Sequence, residues 1–129
     1  MQEQLLHEDL TRKIIGCAMK VHTALGAGFY EAIYQRSLEI EMNFQGLGFE
    51  REKDMPIFYR DVKVGSRRVD FFVGDLVMVE LKAIAQIEDS HINQALNYLE
   101  AYNKQIGLLI NFGGKSLTFK RLLNKKYKQ

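Results

Sequence analysis

The chain has 129 residues, 47% of them apolar and 26% charged, and a formal net charge of +2. This composition excludes a disordered or fibrous protein and fits one domain, which at this length buries roughly two-thirds of the surface of its unfolded form. No apolar run reaches the roughly 20 residues of a membrane span, and the first ten residues lack the apolar stretch of a secretory signal. Cys17 has no second cysteine to pair with, so we expect no internal disulfide and a cytoplasmic location.

The small net charge hides an uneven distribution. Residues 1–100 contain 11 Lys and Arg against 16 Asp and Glu, whereas residues 101–129 contain seven Lys and Arg and no acid. We therefore predict a basic C-terminal tail from about residue 120, in which Lys120 and Arg121 are candidates for contact with a polyanion such as nucleic acid. A solvated, frayed chain end explains the last five residues equally well.

Three helices are predicted from the spacing of apolar residues. The first covers residues 3 to 24 and buries Cys17. The glycines of LGAGF break it, and those of QGLGF end the second helix. The predicted apolar stripe of the second helix consists of Ile33, Leu38, Met42 and Phe44. The third helix has Asp89 or Ser90 as its expected N-cap.

Between the second and third helices the apolar period falls to two residues, which predicts strands. The predicted strands are residues 49–53, 56–60, 67–73 and 76–82, with turns at 60–61 and 74–75. IGLLINF (106–112) is typical of a strand covered on both faces, and SLTFKRL follows as a last strand. This order predicts an α/β or α+β domain in which a mixed sheet is flanked by helices. If strand 106–112 runs parallel to strand 76–82, the third helix is a right-handed crossover.

The segment VDFFVGDLVMVELKA (69–83) places Asp70, Glu80 and Lys82 in strands that otherwise resemble core. Glu80 and Lys82 point to one face of their strand, and a solvent-facing ion pair worth about 0–1 kcal/mol explains those two alone. Asp70 changes the interpretation, because neighbouring carboxylates repel unless a cation lies between them. Mg²⁺ takes such oxygen ligands, and an adjacent lysine serves an attacking water in phosphodiester hydrolysis.

The loop between these strands decides whether the two acids meet. A two-residue loop at 74–75 pairs Val73 with Leu76 and puts Asp70 and Glu80 on opposite faces. A three-residue loop that includes Leu76, or a bulge near Asp70, places Asp70 opposite Glu80. A shared metal site requires the second register.

The two strands resemble the core motif of the PD-(D/E)XK nuclease superfamily, in which an Asp on one strand is followed by (Asp/Glu)-x-Lys on the next. GFYEAIY (28–34) also resembles the Gly-x-x-Glu-x-x-Tyr signature of a small bacterial and archaeal family, the GxxExxY proteins. VHTALGAGFYE, VELKA and GLLINFG resemble the same family in the same order, and the similarity covers about residues 8 to 122. Val69 stands where the superfamily name carries Pro, a position that is often replaced.

The resemblance implies a restriction-endonuclease-like core with a divalent metal at its centre. Asp70 and Glu80 would hold Mg²⁺, for which Mn²⁺ can substitute, with help from the carbonyl of Leu81. Lys82 would lie beside the attacking water.

Related RecB-like nucleases have a helical Glu before the sheet and a Gln-x-x-x-Tyr after it. Glu31 matches the first, and Gln94 with Tyr98 matches the second. The resemblance therefore implies that Glu31 and Gln94 assist catalysis and that Tyr98 contacts nucleic acid. A helix-starting acid that favours the dipole explains Glu31 equally well, and polar residues at the rim of a core helix explain the other two.

We therefore expect a Mg²⁺-dependent nuclease acting on DNA, with RNA as the alternative substrate. Arg67 and Arg68 precede Asp70 and are further candidates for nucleic-acid contact, although arginines that discourage strand pairing at a sheet edge explain them equally well. The competing hypothesis is a catalytically inactive nucleic-acid-binding or protein-interaction module that keeps the fold. We expect no membrane contact, and a homodimer, because cutting both strands of a duplex usually takes two active sites.

Overall fold

The structure is a computed structural model and describes residues 7–129. It consists of three helices and five strands over these residues. In chain order they are α1 (Glu8–Leu25), α2 (Glu31–Phe44), β1 (Phe49–Tyr59), β2 (Val62–Val73), β3 (Val77–Lys82), α3 (Asp89–Ala101), β4 (Ile106–Asn111) and β5 (Thr118–Leu123). None of these helices is long and apolar enough to cross a membrane.

The five strands form one mixed sheet in the order β1-β2-β3-β4-β5. Its only parallel pair among the described strands is β3 with β4, and α3 connects the two. The other neighbours are antiparallel. The predicted mixed sheet flanked by helices is therefore confirmed. The strands on either side of α3 are parallel, which is the condition set for α3 to be a crossover helix.

Several predicted boundaries were wrong by a few residues. β1 is one strand where two were predicted, because an edge strand tolerates Pro56 in its middle. The N-cap of α3 is Glu88, not Asp89 or Ser90. The backbone N–H of Glu88 donates to Nδ1 of His91 at 3.0 Å. The first helix begins at Glu8, and the part predicted over residues 3 to 6 lies outside the described residues.

Each face of the sheet has its own core. α1 and α2 cover one face, whose largest buried side chains include Tyr34, Phe71 and Phe112. α3 covers the other, where the buried residues are Met55, Val69, Phe72, Met78, Ala95, Leu99, Leu109 and Leu122. The second helix buries a different arc from the predicted one, because Ile33 and Phe44 are exposed while Tyr34 and Gln35 are buried with Leu38 and Met42.

The alternation of side chains along β2 inverts at Asp70. Val69 packs under α3, yet Phe71, two residues further on, packs under α1 and α2. The neighbouring strand is irregular at the same level, since Glu52 of β1 has a positive φ of 54° and lies between the pairs Arg51–Phe71 and Lys53–Val69. The inversion gives Asp70 access to groups on both faces of the sheet.

Beyond this point β1 and β2 continue together as a two-stranded ribbon, residues 56–66. β3 pairs with β2 only over 71–73, so the ribbon extends past the end of β3. Its exposed apolar side chains are Phe58, Tyr59, Val62 and Val64.

The basic C-terminal segment begins inside the sheet. Lys120 and Arg121 belong to β5, and the chain after β5 is held to the turn that follows α3. Asn124 is buried and donates to the carbonyls of Leu99 and Lys104 at 3.1 and 2.9 Å. Only part of the predicted basic tail is therefore free of regular structure.

Candidate active site

The chain adopts the register that a shared metal site requires. Val73 pairs with Val77 and Phe71 with Val79, so the same register places Asp70 across from Glu80, one residue beyond the last paired position. The connecting loop has three residues, and two of them have left-handed φ values, 60° at Gly74 and 59° at Asp75. A glycine reaches this conformation without strain, and an aspartate more easily than most residues.

The hydrogen-bonded ladder between β2 and β3 ends at Phe71. Beyond it, the side chain of Asp70, instead of the backbone of β2, accepts a hydrogen bond from β3. The backbone N–H of Leu81 donates to Oδ2 of Asp70 at 2.8 Å, and that of Asp70 donates to Oε2 of Glu80 at 3.4 Å. Along a strand the N–H and C=O of one residue point to the same side. The Leu81 carbonyl is thus directed toward β2, on the same side of β3 as the Asp70 carboxylate.

Glu80 is a buried carboxylate on the face under α3, with a side chain only 5% exposed. Its Oε1 accepts a hydrogen bond from Nη2 of Arg67 at 2.8 Å. Burial and, second, the negative charge of Asp70 raise the pKa of Glu80 to about 7, although the ion pair with Arg67 opposes the shift. The two acids therefore repel each other in a poorly solvated place, as expected where a cation binds.

A small cleft opens beside Glu80 between the sheet and α3. The predicted residues Arg67, Lys82, Gln94 and Tyr98 all line it with Glu80. The guanidinium of Arg67 lies 5.0 Å from the centre of the Tyr98 ring, within cation–π distance. His91, from the first turn of α3, is also part of the lining.

Glu31 is the first residue of α2 and approaches the same site from the opposite side of the sheet. Partial burial and, second, the charge of Asp70 raise its pKa, while Lys82 and Arg67 lower it. The carboxyl group of Glu31 is therefore within electrostatic reach of Asp70, Lys82 and Arg67.

The GFYEAIY segment holds Glu31 in place through Tyr34. The buried Tyr34 hydroxyl donates to the Gly26 carbonyl at 2.6 Å and accepts from the Phe29 N–H at 3.2 Å. Its ring stacks on Phe112 at 4.7 Å. The tyrosine of the motif therefore acts on the fold, fixing the turn from which the helix begins.

Gln35 belongs to the site but was missed in the sequence. It is buried on α2, one turn after Glu31, and its Nε2 donates to Oδ1 of Asp70 at 2.9 Å. Nη1 of Arg51 in turn donates to Oε1 of Gln35 at 3.2 Å. The available signal was the four-residue spacing from Glu31, which puts both side chains on one face of the helix.

Three predicted nucleic-acid contacts lie away from the cleft. Arg68 follows Arg67 on β2 and therefore points to the other face of the sheet. Lys120 of β5 lies beside Gln86, before α3. Nη1 of Arg121 donates to Oγ1 of Thr11 on α1 at 3.1 Å.

The donor set fits magnesium. Among residues 7–129 no three His, Cys, Asp or Glu side chains converge into a metal-ligand cluster. Mg²⁺ needs only one or two carboxylates and keeps several waters, so Asp70, Glu80 and the Leu81 carbonyl suit it better than they suit a metal that requires an all-protein cage.

A mixed sheet that carries Asp, Glu and Lys on adjoining strands, with helices on both faces, defines a restriction-endonuclease-like domain. The family model of the PD-(D/E)XK nuclease superfamily matches residues 8–122, and the chain belongs to that superfamily. Searches among curated proteins and among solved structures found no match.

Proposed function

We propose that this protein is a Mg²⁺-dependent nuclease that hydrolyses phosphodiester bonds of DNA, and that within the superfamily it is a GxxExxY protein. The observation that carries the proposal is the proximity of Asp70 and Glu80 across β2 and β3, where the Asp70 N–H donates to Oε2 of Glu80 at 3.4 Å, with Lys82 two residues further along the same strand. The GFYEAIY segment supports the narrower family.

Asp70, Glu80 and the Leu81 carbonyl would hold the metal. When bound, Mg²⁺ supplies Lewis-acid stabilisation of a phosphoryl oxygen and lowers the pKa of a coordinated water. The carboxylates are already oriented for this role, since the Leu81 N–H fixes Asp70 and Arg67 fixes Glu80.

Lys82 would serve the attacking water and offset negative charge that develops on the phosphate. Its side chain lines the cleft with Glu80, and its positive charge lowers the pKa of Glu31, so both acids are within its electrostatic reach. A positioned ammonium there stabilises charge in a partly dehydrated site more strongly than it would in water.

The remaining residues of the cleft would bind the nucleic acid. The planar guanidinium of Arg67 matches a phosphate, and Gln94 and Tyr98 offer an amide and a hydroxyl on the same rim. We propose Arg68, Lys120 and Arg121 as weaker contributors through their charge, since they lie outside the cleft.

A second candidate function, a non-cleaving nucleic-acid-binding module, is favoured by the Arg67–Glu80 ion pair. At 2.8 Å an internal cation already neutralises one of the two metal-binding acids. In such a module Arg67 would replace the metal.

The decisive experiment is cleavage of plasmid and single-stranded DNA with Mg²⁺ or Mn²⁺. We expect the wild type to cut and Lys82→Met to be inactive, while Lys63→Met, which removes an exposed lysine of the ribbon, keeps full activity. An RNA substrate in parallel distinguishes the two kinds of nucleic acid, and linear product formed without a nicked intermediate indicates the paired sites of a homodimer.

Calorimetric titration with Mn²⁺ separates the two candidates. The nuclease proposal expects heat that disappears in Asp70→Asn and Glu80→Gln. A wild-type protein that retards DNA in a gel, gives no such heat and leaves every substrate intact would be a binding module.

A further inference from the structure

We infer that Gln35 is a positioning residue, one that sets the orientation of the Asp70 carboxylate for metal binding. The inference rests on the proposed function and adds a side chain outside the metal's own ligands. Its basis is a chain of contacts from the surface of α2 to Asp70.

The direction of each hydrogen bond in this chain is fixed by chemistry. A guanidinium only donates and an ionised carboxylate only accepts. Arg51 contacts one end of the Gln35 amide and Asp70 the other, at 3.2 and 2.9 Å. The oxygen of the amide must therefore face Arg51, and its NH₂ group must face Asp70.

Arg51 is itself held at the other end. Its Nε lies 3.4 Å from Oε1 of Glu39, on α2 one turn after Gln35, and its Nη1 lies 3.2 Å from Oε1 of Glu52. The side chains of α2 and β1 thus fix the guanidinium, which in turn fixes the amide.

This series of hydrogen bonds, together with the backbone of β3, constrains both oxygens of the Asp70 carboxylate. Oδ1 accepts from Gln35 and Oδ2 accepts from the Leu81 N–H. A carboxylate bound at both oxygens cannot rotate freely, so its remaining lone pairs keep one direction. Partners of this kind around metal ligands typically change metal affinity by about 10- to 100-fold when they are removed.

Burial makes the role of Gln35 specific. The residue is only 8% exposed, and a buried amide needs partners for both of its ends. Asp70 and Arg51 are these partners, one at each end of the Gln35 amide.

The test is Gln35→Met, which keeps the length of the side chain and removes both hydrogen bonds, with Gln45→Met as the matched control on an exposed glutamine directly after the same helix. We expect Mn²⁺ affinity by calorimetry to fall about 10- to 100-fold in Gln35→Met and to stay unchanged in the control. In DNA cleavage at fixed Mn²⁺, kcat should fall while KM for DNA stays the same. Saturating Mn²⁺ should restore kcat, which a merely structural defect would not allow.

A second variant, Arg51→Lys, keeps the charge but loses the forked contact. We expect a smaller fall in Mn²⁺ affinity, about two- to fivefold. If Gln35→Met does not fold, an unchanged affinity in Arg51→Lys overturns the inference. If Gln35→Met folds and binds Mn²⁺ like the wild type, the inference fails while the metal site stands. A wild-type protein without Asp70-dependent Mn²⁺ binding overturns the metal site and this inference with it.

Discussion

The two halves of β2 lie in very different surroundings. Residues 69–73 pair with strands on one or both sides, and the side chains of Val69, Phe71, Phe72 and Val73 are buried on one face or the other. Among residues 7–129, the segment 62–66 pairs only with β1, and none of its side chains belongs to either hydrophobic core. Asp70 and Arg67 lie where one half passes into the other.

The comparison shows where a small domain can place buried charge. Over residues 71–73 the backbone pairs with strands on both sides, and the side chains are buried and apolar. At the junction the ladder opens, so carboxylates meet backbone N–H groups and an arginine instead of hydrocarbon. The site therefore occupies the first point along the strand at which a charge can be solvated by the protein itself.

The largest effect on stability is expected in the covered half. Phe71→Ala removes a fully buried ring that packs edge-on against Phe49, with centroids 5.4 Å apart. We expect the free energy of unfolding in urea to fall by about 3–5 kcal/mol. Val64→Ala in the ribbon is the comparison variant, and we expect it to change that free energy by less than about 0.5 kcal/mol. Equal losses in the two variants would mean that the halves do not differ as described.

The free energy of unfolding should depend on pH through Glu80, which contacts Asp70 and Arg67 at the junction of the two halves of β2. The pKa of Glu80 is raised to about 7 in the folded protein, whereas an unfolded glutamate titrates near 4.3. Glu80 therefore stays protonated to a higher pH in the folded state than in the unfolded state. Its contribution to the stability of the folded protein is complete below about pH 4 and is lost as the pH rises through 7.

In metal-free protein we expect the free energy of unfolding to fall by about 3 kcal/mol over this range, followed by urea denaturation at each pH. Glu80→Gln should flatten the profile. Mg²⁺ should also reduce the fall, because it binds the ionised carboxylate. A wild-type profile that rises from pH 4 to 7 would contradict the pKa shift.

Two glycines sharpen the comparison further. Gly74 has a φ of 60°, and an added Cβ would lie 3.0 Å from Cδ2 of Leu10. We expect Gly74→Ala to cost about 1–2 kcal/mol by thermal or urea unfolding, because alanine is strained at positive φ. Gly65 in the ribbon has ordinary φ and open space around it. Gly65→Ala should be neutral, and a loss as large as that of Gly74→Ala would argue against the open surroundings of Gly65.

The smallest effect that we expect concerns local opening of the ribbon, which should cost less free energy than opening of residues 71–73. Most of its residues are exposed, and none of them belongs to the two hydrophobic cores formed by the described residues. We expect amide hydrogens within 56–66 to exchange faster than those of 71–73, as measured by hydrogen exchange at neutral pH. Uniform protection along β2 would show that the ribbon is stabilised by packing that its burial does not reveal.

Much of this architecture was predictable from the sequence because periodicity is a local property. The three helices and the last two strands follow from the spacing of apolar residues, whereas that spacing left open whether β4 runs parallel to β3. The register of β2 on β3 could not be decided in the same way, because a two-residue and a three-residue loop both suit Gly74 and Asp75, and packing chooses between them.

The candidate site was predictable only in part for a similar reason. Asp70, Glu80 and Lys82 stood out because charges are unusual in apolar strands. Gln35 and Arg51 did not stand out, because polar residues on helices and edge strands are common. Their importance comes from contacts with residues far away in sequence, such as Gln35 with Asp70, and no spacing rule contains those contacts.

The outer edge of β1 has a consequence for how the protein behaves at high concentration. An open strand edge presents unpaired N–H and C=O groups on which another chain can grow an intermolecular sheet. Pro56 lacks an N–H and interrupts that row near the middle of β1, next to the apolar ribbon. Proline at this position thereby removes one of the donors on which such an intermolecular sheet would depend.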